Sequence, residues 1–213
     1  MIKAVIFDLD DTLLESRAAK WAQHKHVAKK FFNIDLKEET LLKHWGKPIN
    51  VLAPELYEHL DTWENIHPLL INTRKDFPKI PYQSSVETIE KLTEDGILVA
   101  IISATTKHDI EYDLEKYNFS INKFIHIQGA EDTKVHKPDP DVFLPVFKKL
   151  SDIGIKKEEM VYVGDSLDDL RASHGAGINF IAITTGIFTK EDFEKNGAKV
   201  IVSDIKEVIN FLN

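Results

Sequence analysis

The chain has 213 residues, 43% hydrophobic and 29% charged, the balance of an ordinary soluble globular protein. Its formal charge of −8 (27 basic against 35 acidic residues) argues against a nucleic-acid or anionic-membrane surface. The lack of cysteine excludes disulfides, thiolate catalysis and zinc–thiolate sites.

No apolar run approaches the roughly 18 residues of a membrane span. The first residues read as a core strand rather than a signal peptide, so a cytoplasmic protein is expected. Ala4-Val5-Ile6-Phe7 is a continuous apolar run, the pattern of a strand buried on both faces of a parallel sheet. It runs into Asp8-Leu9-Asp10-Asp11-Thr12, where carboxylates this close repel unless one keeps a proton or a cation lies between them.

Residues 15–82 are rich in Lys, His, Glu and aromatics and contain no buried-strand run, so they read as a helical insertion. Ser16 is expected to cap a helix carrying Ala18, Ala22, Val27, Ala28 and Phe31, with shorter helices over 38–43, 51–60 and 61–76. Pro48, Pro54, Pro68 and Pro78 should shorten or kink them.

From residue 83 strands and helices alternate. Ser84-x-x-Glu87 predicts a capping box before a helix with Val86, Ile89 and Leu92 inward. Ile97–Ile102 predicts a strand ending at Ser103, then a helix over 106–117 and a strand over 124–127. A polar loop holding His136-Lys137-Pro138-Asp139-Pro140 follows, with a helix over 141–150. Met160–Gly164 predicts a strand ending at Asp165, followed by short strands over 179–183 and 199–202 and a terminal helix. The expected fold is α/β: a Rossmann-like parallel sheet with helices on both faces, formed by residues 1–14 and 83–213, plus the helical insertion.

Three of these strands end in Asp8, Ser103 and Asp165, and parallel neighbours would bring those ends to one edge, where open α/β sheets bind ligands. Ser166 can cap a helix whose first turn holds Asp169, so Asp165 and Asp169 can reach one point; Asp168 reads as charge compensation at the helix start. Clustered carboxylates make a hard-oxygen site suited to Mg²⁺. Lys137, in a loop stiffened by Pro138 and Pro140, is preferred over Lys134 as the charge that meets a phosphoryl group. Together these residues suggest phosphoryl transfer. Asp8 is the nucleophile, Asp10 the general acid/base if the extended backbone persists, and Ser103 a hydrogen-bond donor to the phosphoryl group, with Lys137 and the metal neutralising charge.

Asp8-Leu9-Asp10-Asp11-Thr12, Ser103, Lys137-Pro138 and Gly164-Asp165-Ser166-x-x-Asp169, in this order, resemble the four motifs of the haloacid dehalogenase-like superfamily. The insertion resembles the helical C1 cap of the subfamily with phosphoglycolate phosphatase and β-phosphoglucomutase. The resemblance implies a Rossmann-like core, Mg²⁺ and a phosphoaspartate. Asp8, Asp165 and the Asp10 carbonyl would bind the metal, with Asp169 in support. Asp11 stands where many relatives have Gly. Ala104 stands where Asn is usual, leaving its backbone N–H for the phosphate.

The expected activity is hydrolysis of a small phosphorylated metabolite by a monomer or homodimer. A phosphomutase is the alternative, and a phospho-accepting regulatory module a more remote one. Asp10, Asp165 and Asp169 argue against a dehalogenase, which needs neither metal nor that acid. Within the insertion Arg17, Lys20, His24, Lys43, Lys47 and Arg74 are candidates to meet a substrate anion. Among them Lys47 is favoured, since Gly46-Lys47-Pro48 resembles the family's specificity loop. His24 and His26 are expected at the surface, and Trp21, Trp45 and Trp63 in the packing of the insertion.

Overall fold

The structure, a computed structural model, describes residues 1–212. Its centre is strand β1 (Ala4–Phe7), every residue of which is buried. The other strands of its sheet are β2 (Leu98–Ile102), β3 (Phe124–Gln128), β4 (Met160–Gly164), β5 (Asn179–Ile183) and β6 (Val200–Val202). They form one parallel six-stranded sheet in the order β3-β2-β1-β4-β5-β6.

Alternation along the strands explains why the apolar runs are continuous. Val5, Phe7, Val99, Ile101, Val161 and Val163 point into one core, against Ile89 and Leu92 of α5 (Ser85–Glu94) and Ile110 and Leu114 of α6 (Lys107–Lys116). Ala4, Ile6, Ala100, Ile102 and Tyr162 point into the other, with Val146 and Leu150 of α7 (Leu144–Ser151) and Leu170 and Ala172 of α8 (Leu167–Ala176). With helices on both faces, each strand buries both sets of side chains. The chain builds outward from β1 through β2 and β3, then restarts beside β1 with β4. This reversal of direction, the switch point, lies at the end of β1.

The chain divides into two compact units: Met1–Glu15 with the chain from Pro81 onward, and Ser16–Ile80. The second holds α1 (Arg17–Phe32), α2 (Glu38–His44), α3 (Ile49–Leu56) and α4 (Trp63–Thr73) around its own core of Val27, Leu41, Leu52, Leu56, Tyr57 and Ile66. Pro54 and Pro68 lie inside α3 and α4 without ending them. Trp21 meets Trp45 edge-on and Trp63 stacks on His67.

Several local expectations need correction. Ser16 makes no capping hydrogen bond with its side chain, and Phe31 is exposed. His24 is buried, not at the surface, with Nδ1 2.7 Å from the Tyr57 hydroxyl; burial pulls its pKa down to about 3, so the ring is neutral. The Ser84 capping box does not form, because the Ser84 hydroxyl donates to Asp204 instead. The segment before α7, Pro140–Phe143, and the last helix, Ile205–Phe211, wind as 3-10 turns. Among the described residues, no helix is long and apolar enough to cross a membrane.

Candidate active site

The register of the central strands sets the site. Phe7 pairs with Ile101 on one side and Val163 on the other, so Asp8, Ser103 and Asp165 follow directly from three adjacent strand ends. The Asp8 N–H continues the ladder by donating to the Val163 carbonyl at 2.9 Å. Asp8, Ser103 and Asp165 are all buried.

Beyond Asp8 the chain turns, so Asp10 does not prolong the strand. The Leu9 carbonyl accepts from the N–H groups of Leu13 (2.9 Å) and Leu14 (3.0 Å), and Asp10 forms an isolated bridge with Leu14. Asp11 adopts φ 55°, the left-handed region in which Gly is easiest and Asp tolerated, which explains why Asp can replace Gly there. The Asp10 carboxylate is held by Thr105, whose hydroxyl donates to Oδ2 at 2.7 Å. The Thr105 N–H in turn donates to Ser103 Oγ at 3.1 Å, and the Ser103 N–H to the Gln128 carbonyl at 3.0 Å. Ala104, between them, is half-buried.

Lys137 approaches from the loop after β3, and the Lys137–Pro138 peptide is cis. Its Nζ lies 2.7 Å from Asp8 Oδ1, 2.7 Å from Asp169 Oδ1 and 3.0 Å from the Tyr162 hydroxyl. At the start of α8 the box between Ser166 and Asp169 forms as expected: Ser166 Oγ accepts from the Asp169 N–H at 3.1 Å, and Asp169 Oδ2 accepts from the Ser166 N–H at 3.0 Å. Both Asp169 oxygens are therefore engaged, one by Lys137 and Tyr162 and one by Ser166. This makes Asp169 an anchor in this arrangement, and direct ligation of a metal would require one of these bonds to open. Asp168 pairs on the surface with Arg171 at 2.9 Å.

Two glycines leave room for carboxylates of the site. A Cβ on Gly164 would lie 2.6 Å from Asp169 Cγ, and one on Gly186, in the loop after β5, 1.9 Å from Asp165 Oδ2. Thr12 Oγ1 lies 3.4 Å from Asp165 Oδ1.

Sequence reasoning passed over Thr105, Tyr162 and Gly186. The available signals were a hydroxyl two residues after Ser103 and a polar-tipped ring inside an otherwise aliphatic strand. Gly186 stood in a loop following a buried strand.

Burial, opposed by Lys137 and reinforced by Asp169 and Asp10, raises the Asp8 carboxyl to about 7. Burial, together with Asp169, Asp8 and Asp11, raises Asp165 well above its ordinary value. Burial alone would lower the Lys137 ammonium, but Asp169, Asp8 and Tyr162 hold it well above its ordinary value. The strand ends thus concentrate more negative charge than Lys137 offsets, and all the donors are hard oxygens. Among the described residues, no three acidic or histidine side chains converge into a ready-made metal cage. The hard carboxylate oxygens of Asp8 and Asp165 are the groups that could hold a divalent cation here.

Gly46 and Lys47 lie in the helical unit, where Lys47 Nζ is 2.5 Å from Glu55 Oε2, an oxygen that also lies 2.6 Å from His44 Nδ1.

Residues 5–183 match the family model described as haloacid dehalogenase-like hydrolase. The chain is 30% identical over 206 residues to a glyceraldehyde 3-phosphate phosphatase of Methanopyrus kandleri, covering 87% of this chain and 85% of that protein. It is 25% identical over 218 residues to the pyrophosphatase PpaX of Oceanobacillus iheyensis, covering 99% and 97%. Among solved structures, CbbY from Rhodobacter sphaeroides superposes with a TM-score of 0.81 at 20% identity, covering 98% of this chain and 96% of that one, a likeness of fold.

Proposed function

Because the chain belongs to the haloacid dehalogenase-like hydrolase family, we propose that it is a Mg²⁺-dependent phosphatase that hydrolyses a small phosphorylated metabolite through an aspartyl phosphate on Asp8. The observation that carries this reading is the Lys137 ammonium bridging Asp8 and Asp169 at 2.7 Å each, at the switch point of the sheet and beside Asp165. A structural ion pair would not require surplus carboxylates around it. The phosphatase and pyrophosphatase named above support the reaction class.

In the first step an Asp8 carboxylate oxygen attacks phosphorus, and the bond from phosphorus to the leaving oxygen breaks. Asp10, held by Thr105, protonates that oxygen, which keeps the leaving group from departing as an alkoxide. In the second step Asp10 takes a proton from water, the water oxygen attacks phosphorus, and the Asp8–phosphorus bond breaks to release phosphate. Lys137, the Ser103 hydroxyl and the Ala104 N–H receive the equatorial oxygens; a single preorganised donor of this kind is worth about 10²–10³ in rate. Asp8, Asp165 and the Asp10 carbonyl would hold Mg²⁺, with Asp169 in support. Bound there, the ion supplies positive charge that keeps the buried carboxylates ionised and neutralises the phosphoryl oxygens. Substrate selection is assigned to the helical insertion, with Lys47 of the Gly46-Lys47-Pro48 turn as the selecting charge.

A panel of phosphorylated metabolites assayed with Mg²⁺ tests the reading; it should include glyceraldehyde 3-phosphate, phosphoglycolate and pyrophosphate. Release of inorganic phosphate that stops in EDTA and returns with Mg²⁺ is expected. Formation of an isomer without free phosphate would mean a mutase, and turnover that survives chelation would remove the metal from the account.

A further inference from the structure

Tyr162 is the member of the Lys137 cluster without a part in these steps. A lysine ammonium has three N–H donors and no acceptor, and here three oxygens surround it: Asp8 Oδ1 at 2.7 Å, Asp169 Oδ1 at 2.7 Å and the Tyr162 hydroxyl at 3.0 Å. The single Tyr162 proton goes to Asp169 Oδ1, 2.9 Å away, because the ammonium cannot accept it. Tyr162 is therefore an acceptor from Lys137, and all three ammonium protons are taken. The ring itself is fixed: it is fully buried, edge-on to Phe143 at 4.9 Å between centroids and 6.2 Å from Phe180.

A phosphoryl oxygen that bonds to Lys137 must displace one of these acceptors. The two carboxylate bonds are short and join opposite charges. The bond to Tyr162 is longer and its acceptor is neutral. Losing that bond leaves the hydroxyl still donating to Asp169, so nothing on the tyrosine side is stranded.

We infer that Tyr162 is a displaceable resting ligand of the Lys137 ammonium, holding its third N–H while the site is empty and yielding it to a phosphoryl oxygen when phosphate enters. The inference rests on the phosphatase reading above. It differs in sign from a purely structural role. Removing the hydroxyl strands a buried N–H only in the empty site, so the empty state is disfavoured and phosphate binds more tightly. If Tyr162 were a strut that aims Lys137, its loss would weaken phosphate binding.

The test is Tyr162→Phe, which keeps the ring. Inorganic phosphate is titrated calorimetrically in the presence of Mg²⁺, and its inhibition constant is measured alongside KM. Tightening of phosphate by about fivefold or more is expected, the lower end of what an unmade buried hydrogen bond is worth, with KM falling in parallel. Unchanged or weaker phosphate binding overturns the inference. A second measurement needs no variant: in wild-type protein labelled with ¹³Cζ-tyrosine, phosphate should shift the Tyr162 resonance as its hydroxyl loses the ammonium donor, and a static resonance in phosphate-saturated protein also overturns it. If the wild-type protein neither binds nor releases phosphate, the phosphatase reading fails and this inference with it. If it does both and Tyr162→Phe does not tighten binding, only this inference fails.

Discussion

Asp169 ties Lys137 to the first turn of α8: its Oδ1 lies 2.7 Å from the lysine Nζ while its Oδ2 accepts from the Ser166 N–H at 3.0 Å. Asp169 is 1% exposed and Lys137 10%, so Asp169→Ala takes away one of the ammonium's two buried carboxylate partners, a loss of about 1.5–3 kcal/mol. Its neighbour Asp168 pairs with Arg171 in the open, and Asp168→Ala should cost under about 1 kcal/mol. Urea denaturation of the two variants checks the contrast; equal losses would mean that Asp169 is not the anchor.

Gly186→Ala should act on Asp165 without touching the reacting atoms. The added methyl would lie 1.9 Å from Asp165 Oδ2, so the carboxylate must move. About a 10-fold or greater rise in the Mg²⁺ concentration needed for half-maximal activity is expected, in line with disturbed support of a metal ligand, while far-UV circular dichroism stays as in the wild type. An unchanged Mg²⁺ requirement would detach Asp165 from the metal.

Stability without metal should fall as pH rises. Between the ordinary Asp value of 3.8 and about 7, the folded protein keeps a proton on Asp8 that the unfolded chain has released, so the unfolded state binds fewer protons and rising pH favours it. Asp165, also raised, acts in the same direction. The slope is limited to about 1.4 kcal/mol per pH unit for each such proton. In EDTA, Tm should therefore be lower near pH 8 than near pH 5 from this contribution, and Mg²⁺ should raise Tm more at the higher pH. A Mg²⁺ effect that is independent of pH would contradict the shared site.

Lys47→Ala should alter the ranking of phosphorylated metabolites more than the hydrolysis of p-nitrophenyl phosphate. Its ammonium is held by Glu55 at 2.5 Å, which orders the turn that presents it. Equal loss on all substrates would exclude it as a selector.

What could be read from the sequence was what the chain states locally. Asp8, Ser103 and Asp165 each end an uninterrupted apolar run, and a sheet buried on both faces aligns those ends. Ser166 and Asp169 sit three residues apart, so their box was visible as spacing. What stayed hidden depends on distant partners. Ser84 has the right neighbour for a cap at Glu87, yet bonds Asp204 from the far end of the chain. Thr105 gains its meaning only from Asp10, and Gly186 only from the carboxylate it leaves room for. The burial of His24 is not legible in its own helix, which mixes lysines and alanines without a clean apolar face; only the fold of the insertion brings Tyr57 to its ring.

The central claim is that Asp8 is the attacking group, and acid-quenching the enzyme during turnover of its best substrate tests it most directly. Reduction of the trapped acyl phosphate with borohydride, followed by peptide mass spectrometry, should convert Asp8 alone to homoserine, and Asp8→Asn should give neither product nor trapped adduct. Phosphate release with no adduct on Asp8, or sustained turnover by Asp8→Asn, would contradict the account.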